Sequence, residues 1–198
     1  MTSPRSPKQP ATRLTADDWT RAALQAIARG GLAAVAVEPL AARLGATKGS
    51  FYWHFANRDA LIEAALNRWE SDHTDAVIAL VETESDPLAR LRLLIGTVIG
   101  YAGGSREESI ELGMLATADH PHVAPVLARV TERRVAYTAT LFEGLGLPRP
   151  EARRRALLAV SAYLGHAQLA HAAPQVVPGD AGELRDYVDR IVELLTTV

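Results

Sequence analysis

The 198-residue chain contains no cysteine. Disulfides and thiol catalysis are therefore excluded, and nothing argues for an oxidising compartment. Aromatic residues make up only 6% of the chain, so any cluster of them carries information. No apolar run approaches the roughly 20 residues needed to cross a bilayer. The proline-rich start, through Arg13, lacks the apolar segment of a secretory signal. A cytoplasmic location and no membrane partner are expected. Also missing are a G-x-S-x-G turn, a glycine-rich phosphate loop and a paired-histidine metal motif. No catalytic residue, cofactor or metal is expected, which argues against an enzyme. His120-Pro121-His122 offers two histidines without a third ligand at workable spacing, and reads as a helix break.

Hydrophobic residues make up 48% and charged residues 22% of the sequence, the balance of a globular protein with a sizeable core. The net charge of −2 conceals an asymmetry. Residues 1–58 carry eight Lys/Arg against three acids, whereas the other 140 carry thirteen against twenty. A basic N-terminal piece on an acidic body suggests a polyanion partner for the first part only. A non-specific architectural DNA binder would be basic throughout.

Apolar periodicity predicts an all-α chain of about nine helices. Residues 1–13 combine prolines and basic residues and read as a flexible arm. Thr15, with Asp18 three residues on, caps a first helix that ends at Gly30-Gly31. A second helix spans about Val37 to Leu44, with Pro39 in its first turn. Thr47 caps a third and Asn57 a fourth. In the fourth, Ile62, Ala65, Leu66, Trp69, Ala76, Val77 and Leu80 hold one register to Val81. Asp86-Pro87 opens a fifth that Gly103-Gly104 stops, and Ser105-x-x-Glu108 is a capping box for a sixth. A seventh covers about 122–144 and an eighth runs from Pro150 to Ala173. After a loop at 174–182, a last helix carries Leu184, Val188, Ile191 and Leu195. The expected organisation is the arm, a small domain at 14–60 and a larger one at 61–198.

Aromatics concentrate in Leu44-Gly45-Ala46-Thr47-Lys48-Gly49-Ser50-Phe51-Tyr52-Trp53-His54-Phe55. Phe51 and Phe55 are four apart and share a helical face that can anchor in a core. With that face buried, Thr47, Lys48, Gly49, Ser50, Tyr52, Trp53 and His54 lie on or beside the exposed side. Two large aromatics on solvent are unusual, and the reading is a helix that meets DNA. The alternative is packing, with Tyr52 capping the core and Trp53 lying on the fourth helix. A short helix pair joined by a turn, the second polar and aromatic, is a helix-turn-helix arrangement.

The segment from Leu40 to Phe55, followed by Asn57-Arg58-Asp59-Ala60-Leu61, closely resembles the N-terminal domain of the TetR family of bacterial transcriptional regulators. The likeness covers about residues 15–62. It implies that Thr47, Lys48, Gly49 and Ser50 lie near base edges and phosphates, with Gly49 allowing close backbone approach. It further implies that Tyr52, His54 and Arg58 bind phosphates, and that Trp53 packs on a sugar-phosphate edge or a thymine methyl. Ala36 departs from the family pattern by giving the second helix no side-chain cap. Glu38 stands where relatives often place a basic residue, and is expected to face solvent.

The resemblance also implies a homodimer through the last two helices, a palindromic double-stranded DNA operator and a small-molecule effector that releases a repressor. A mainly apolar effector is expected from the surrounding Leu, Val and Ile. Candidate pocket residues, chosen as aromatic or polar members of apolar helices, are Trp69, His73, Met114, Tyr137, Phe142, Tyr163, His166 and Gln168. Each has simple packing as its alternative. A ligand-independent regulator whose larger domain only dimerises remains the competing function.

Overall fold

The computed structural model describes residues 14–102 and 110–197; the expected arm, the Gly103-Gly104 stop and the Ser105–Glu108 capping box lie outside them. The described residues are helical, without a strand, and none of their helices is long and apolar enough to cross a membrane. In order they form α1 (Ala16–Gly30), α2 (Val37–Arg43), α3 (Lys48–Tyr52), α4 (Arg58–Glu70), a π turn (Ser71–Asp75) and α5 (Ala76–Val81). There follow α6 (Pro87–Ala102), α7 (Ile110–Leu115), α8 (Ala124–Gly144), α9 (Arg149–Ala172) and α10 (Ala181–Thr196). Taking α4, the π turn and α5 as one rod, nine helices are described.

Helix ends follow local chemistry. The Thr15 side chain and Asp18 close a reciprocal capping box at the start of α1, satisfying N–H groups that have no partner inside the helix. Gly31 ends α1 at φ +63°, a backbone conformation that favours glycine. Gly45, also at φ +63°, makes the turn between α2 and α3. Asp180 Oδ1 accepts from the N–H groups of Gly182 and Glu183 at 2.7 and 2.9 Å and opens α10.

The π turn corrects the register expected for the fourth helix. An i→i+5 turn inserts one extra residue, so the buried stripe continues from Trp69 to Thr74, Val77 and Val81. Ala76 and Leu80, expected inside, are exposed. Such insertions inside α-helices recur at functional sites.

Two cores result. The first is built on Trp19, Ile27, Leu40, Phe51, Phe55, Leu61, Leu66 and Trp69, but also takes Met114 from α7 and Val123, Val126 and Val130 from the α8 end of the chain. The division expected at residue 60 therefore cuts through a continuous core. The second collects Val77, Val81, Leu91, Ile95, Ile99, Phe142, Ala152, Ala156, Val188 and Val192 from α5, α6, α8, α9 and α10.

Helix α7 joins the two parts at close quarters. A Cβ built on Gly113 would lie 3.0 Å from the carbonyl carbon of Ile27 and well inside contact distance of its oxygen. Only glycine allows α7 to cross α1 so tightly. Arg68 on α4 is ion-paired with Asp17 on α1 and, at 2.5 Å, with Asp72 in the π turn.

Candidate nucleic-acid interface and ligand cavity

Helix α3 is held from below. The Phe51 ring meets Trp19 edge-on at 5.4 Å and stacks on Phe55 at 5.8 Å, geometries that add to the burial of both faces. Thr47 caps the helix, its Oγ1 accepting from the Ser50 N–H at 3.2 Å. The outward side is aromatic and polar. Trp53 is 83% exposed and Tyr52 54% exposed, although the Tyr52 ring keeps an edge contact with Phe51 at 5.1 Å. Neither takes the packing alternative of a buried cap. Thr47, Gly49, Ser50, Trp53 and His54 border one shallow depression, completed by Leu14 at the start of α1.

Gly49 has no intramolecular reason to be glycine. Its φ is not positive, and an added Cβ would meet only Thr47 Oγ1 at an ordinary 3.6 Å. Glycine is a poorer helix former than alanine, and nothing packed against Gly49 among the described residues requires it.

Glu38 faces solvent, as expected, and there its Oε1 accepts from Lys48 Nζ at 2.9 Å, so that an exposed pair links α2 to the start of α3. That hydrogen bond holds the Glu38 carboxyl below its ordinary range and raises the Lys48 ammonium above its own. Arg58, expected at a phosphate, is half-buried and also bonds to backbone. Its Nε donates to the Val35 carbonyl and its Nη2 to the Leu32 carbonyl, both at 2.6 Å. The guanidinium thereby satisfies backbone acceptors in the connection between α1 and α2. Its first role in the fold is to brace α4 against that connection.

The larger part carries a small cavity that opens to solvent among the π turn, α5, α6, α8 and α9. Of the eight candidate residues, His73, Tyr137 and Tyr163 line it. Trp69 lies just beneath, fully buried, with the Arg134 guanidinium 5.2 Å above its ring. Met114 is buried in the first core and Phe142 in the second, where both serve packing. His166 is buried against the Tyr187 ring at 5.4 Å and borders a separate shallow groove, while Gln168 is exposed.

The residues that sequence reasoning missed are polar ones. Arg134 Nη1 is 3.0 Å from Glu111 Oε1, their side chains 14% and 10% exposed. Arg134 Nε donates to Thr74 Oγ1 at 3.0 Å, and the Tyr163 hydroxyl lies 3.3 Å from Glu111 Oε2. Burial lowers the pKa of His73 and, with the Glu111 charge, holds the Tyr163 phenol protonated, because it penalises each charged form. A signal for Arg134 existed: it falls four residues after Val130 and three before Tyr137, on the apolar stripe of α8. Charged residues are buried there only when paired.

Residues 20–65 match the sequence profile of the "Bacterial regulatory proteins, tetR family". The transcriptional regulator TtgR of Pseudomonas putida is 35% identical over 75 residues, which are 37% of this chain and 36% of that relative's length. The crystal structure of a transcriptional regulator from Rhodococcus sp. Rha1 superposes with a TM-score of 0.75 at 22% identity, over 93% of this chain and all of that one. The regulator AibR, solved with isovaleryl coenzyme A and operator DNA, superposes with a TM-score of 0.66 at 19% identity, over 91% of this chain and 97% of that one. The helix-turn-helix and the sequence match at its centre agree: residues 20–65 are those of a TetR-family DNA-binding domain, and the fold across the rest of the chain is the one these regulators share.

Proposed function

We propose that the protein is a dimeric repressor that binds a palindromic DNA operator through α3 and leaves it when a small molecule fills the cavity. The observation that carries the DNA reading is the division of α3. Phe51 and Phe55 are buried, while Tyr52 and Trp53 stand in solvent beside Thr47, Lys48, Gly49, Ser50 and His54. A short helix presented this way fits the major groove. Lys48, Tyr52 and His54 contact phosphates, Gly49 allows the backbone close to the duplex, and Trp53 packs on a sugar edge or thymine methyl. Arg58 supports the domain from within.

Dimerisation through α9 and α10 is supported by an apolar exterior. Leu157, Leu158 and Leu169 of α9 and Leu194 of α10 are exposed. Between them, Ser161, Ala162 and Gly165 are exposed as well, and an added Cβ at Gly165 would meet nothing within 4 Å. Two copies burying this stripe form a self-complementary interface, and their two-fold axis requires a palindromic site.

The effector reading rests on the cavity and its route to α3. Glu111, ion-paired to Arg134 at the cavity, is two residues from Gly113, which bears on Ile27 of α1. A ligand that moves Arg134 displaces α7 and with it the α1 support of the helix-turn-helix. Such a ligand acts by binding one arrangement more tightly than the other. AibR, with its acyl-coenzyme A and operator, shows that a protein of this fold holds both partners.

The test is fluorescence anisotropy of the full chain against DNA from upstream of its own and neighbouring genes. Saturable, sequence-selective binding is expected. Lys48→Ala and Tyr52→Ala weaken it, and Lys48→Ala lowers the dependence of log affinity on log salt by about one. Normal operator binding by both variants would show that α3 is not the reading helix.

A further inference from the structure

We infer that the cavity takes an uncharged, mainly apolar ligand that offers a hydrogen-bond acceptor to Arg134. This rests on the reading of the cavity as an effector site and adds the chemistry of the occupant.

Val77, Ile95, Val98 and Val160 give the cavity apolar walls, which favour a hydrocarbon body. Among the described residues that line it, the charged one is Arg134, already paired with Glu111 at 3.0 Å. The pair is electrically balanced. A carboxylate or phosphate entering here would place a second anion beside Glu111 around one guanidinium, in surroundings that solvate charge poorly. An ammonium ligand meets the same obstacle from Arg134. His73 does not supply a second cation, because burial keeps its imidazole neutral near pH 7. A polyanion such as a nucleotide-bearing thioester therefore lacks its counter-charge among the described lining residues.

The guanidinium still has donors to give. It carries five N–H groups. Among the described residues it uses three, to Thr74 Oγ1, Glu111 Oε1 and, at a long 3.4 Å, the His73 carbonyl. The Trp69 and Tyr163 rings lie 5.2 and 5.7 Å from its central carbon and hold the group in place. A ketone, ester or amide oxygen can accept from the remaining N–H groups without disturbing the ion pair. Selection then follows from cost: a hydrocarbon of the same shape leaves those donors unpaired, and a charged analogue leaves a buried charge unmatched.

The experiment compares three probes of one shape by calorimetry and thermal shift on the full chain: 6-phenylhexan-2-one, 5-phenylpentanoate and 5-phenylpentylamine. The ketone should bind at least tenfold more tightly than either ion. Glu111→Gln should reverse the order between ketone and carboxylate, because Arg134 then lacks its anion. Val98→Trp, which fills the cavity, should abolish ketone binding while the variant keeps its melting temperature. The inference is overturned if the carboxylate or amine outbinds the ketone in the unmodified chain. It is equally overturned if none of the three binds at millimolar concentration, or if Val98→Trp leaves ketone binding unchanged. Because no DNA is present, these outcomes are independent of operator binding. Ketone binding without a change in operator affinity would keep the ligand class and remove the effector role.

Discussion

The two parts of the molecule expose hydrophobic surface in different currencies. Around α3 the exposed large side chains are Tyr52 and Trp53; on α9 and α10 they are Leu157, Leu158, Leu169 and Leu194. Flat rings with a polar edge suit a wet, charged surface of phosphates and bases. Branched aliphatic side chains gain nothing from such a surface, and are relieved only by apolar burial. The interiors differ in the complementary sense. The first core is filled by Trp19, Phe51 and Trp69, whereas the larger part surrounds a cavity. A full core holds a reading head rigid; a hollow one leaves room for a ligand to act.

The sharpest contrast lies within α3. Phe51→Ala should cost about 3–5 kcal/mol, as truncating a buried aromatic does, and lower the melting temperature by roughly 10 °C. Trp53→Ala should change stability by less than about 0.5 kcal/mol, as expected of a surface site, yet reduce operator affinity more than tenfold. Scanning calorimetry and anisotropy on both variants separate the roles; equal stability losses would erase the distinction between anchor and reader. Leu158→Asp attacks the other surface. It should turn the dimer into monomers in sedimentation velocity at micromolar concentration, and weaken binding to a full palindrome more than to a half-site. A monomeric parent protein would remove the aliphatic face from the comparison.

A smaller and more discriminating effect is expected at Gly49. Gly49→Ala should stabilise the fold, by up to about 1 kcal/mol from helix propensity, while weakening operator binding. Tighter binding by that variant would mean that the duplex does not approach this backbone. The least change concerns pH. Burial depresses the pKa of both His73 and His166, so the unfolded chain takes up protons at these sites before the folded one does. Their contribution is complete above the unfolded value near 6.5 and is lost as pH falls below it. The melting temperature should decline from pH 7 to 5, and His73→Gln and His166→Gln should flatten the decline. An unchanged slope in both variants would place the acid sensitivity elsewhere.

The helix-turn-helix was legible because its signals are local. Thr15 with Asp18, Gly31, Gly45, Thr47 and Asn57 each act within a few residues, and the four-residue spacing of Phe51 and Phe55 defines a buried face without reference to anything distant. Arg58 shows where that reasoning ends. Its position at the start of α4 is local, but its partners, the carbonyls of Leu32 and Val35, are more than twenty residues away. The cavity was harder still. His73, Tyr137 and Tyr163 stood out by type, but so did Met114 and Phe142, which pack in the cores, because residue type does not state which way a helix is turned.

The sequence by itself determined most of the helices, several of their caps and the division of α3, since each depends on spacing and on contacts within a turn or two. Tertiary structure decided the rest. The π turn took Ala76 and Leu80 out of the buried stripe and brought Thr74 into it beside Val77 and Val81, the crossing at Gly113 tied α7 to α1, and the meeting of Glu111 with Arg134 set the charge of the cavity. Each joins residues brought together only by packing, where a one-residue shift in a helix or one close backbone contact selects which side chains share an interior.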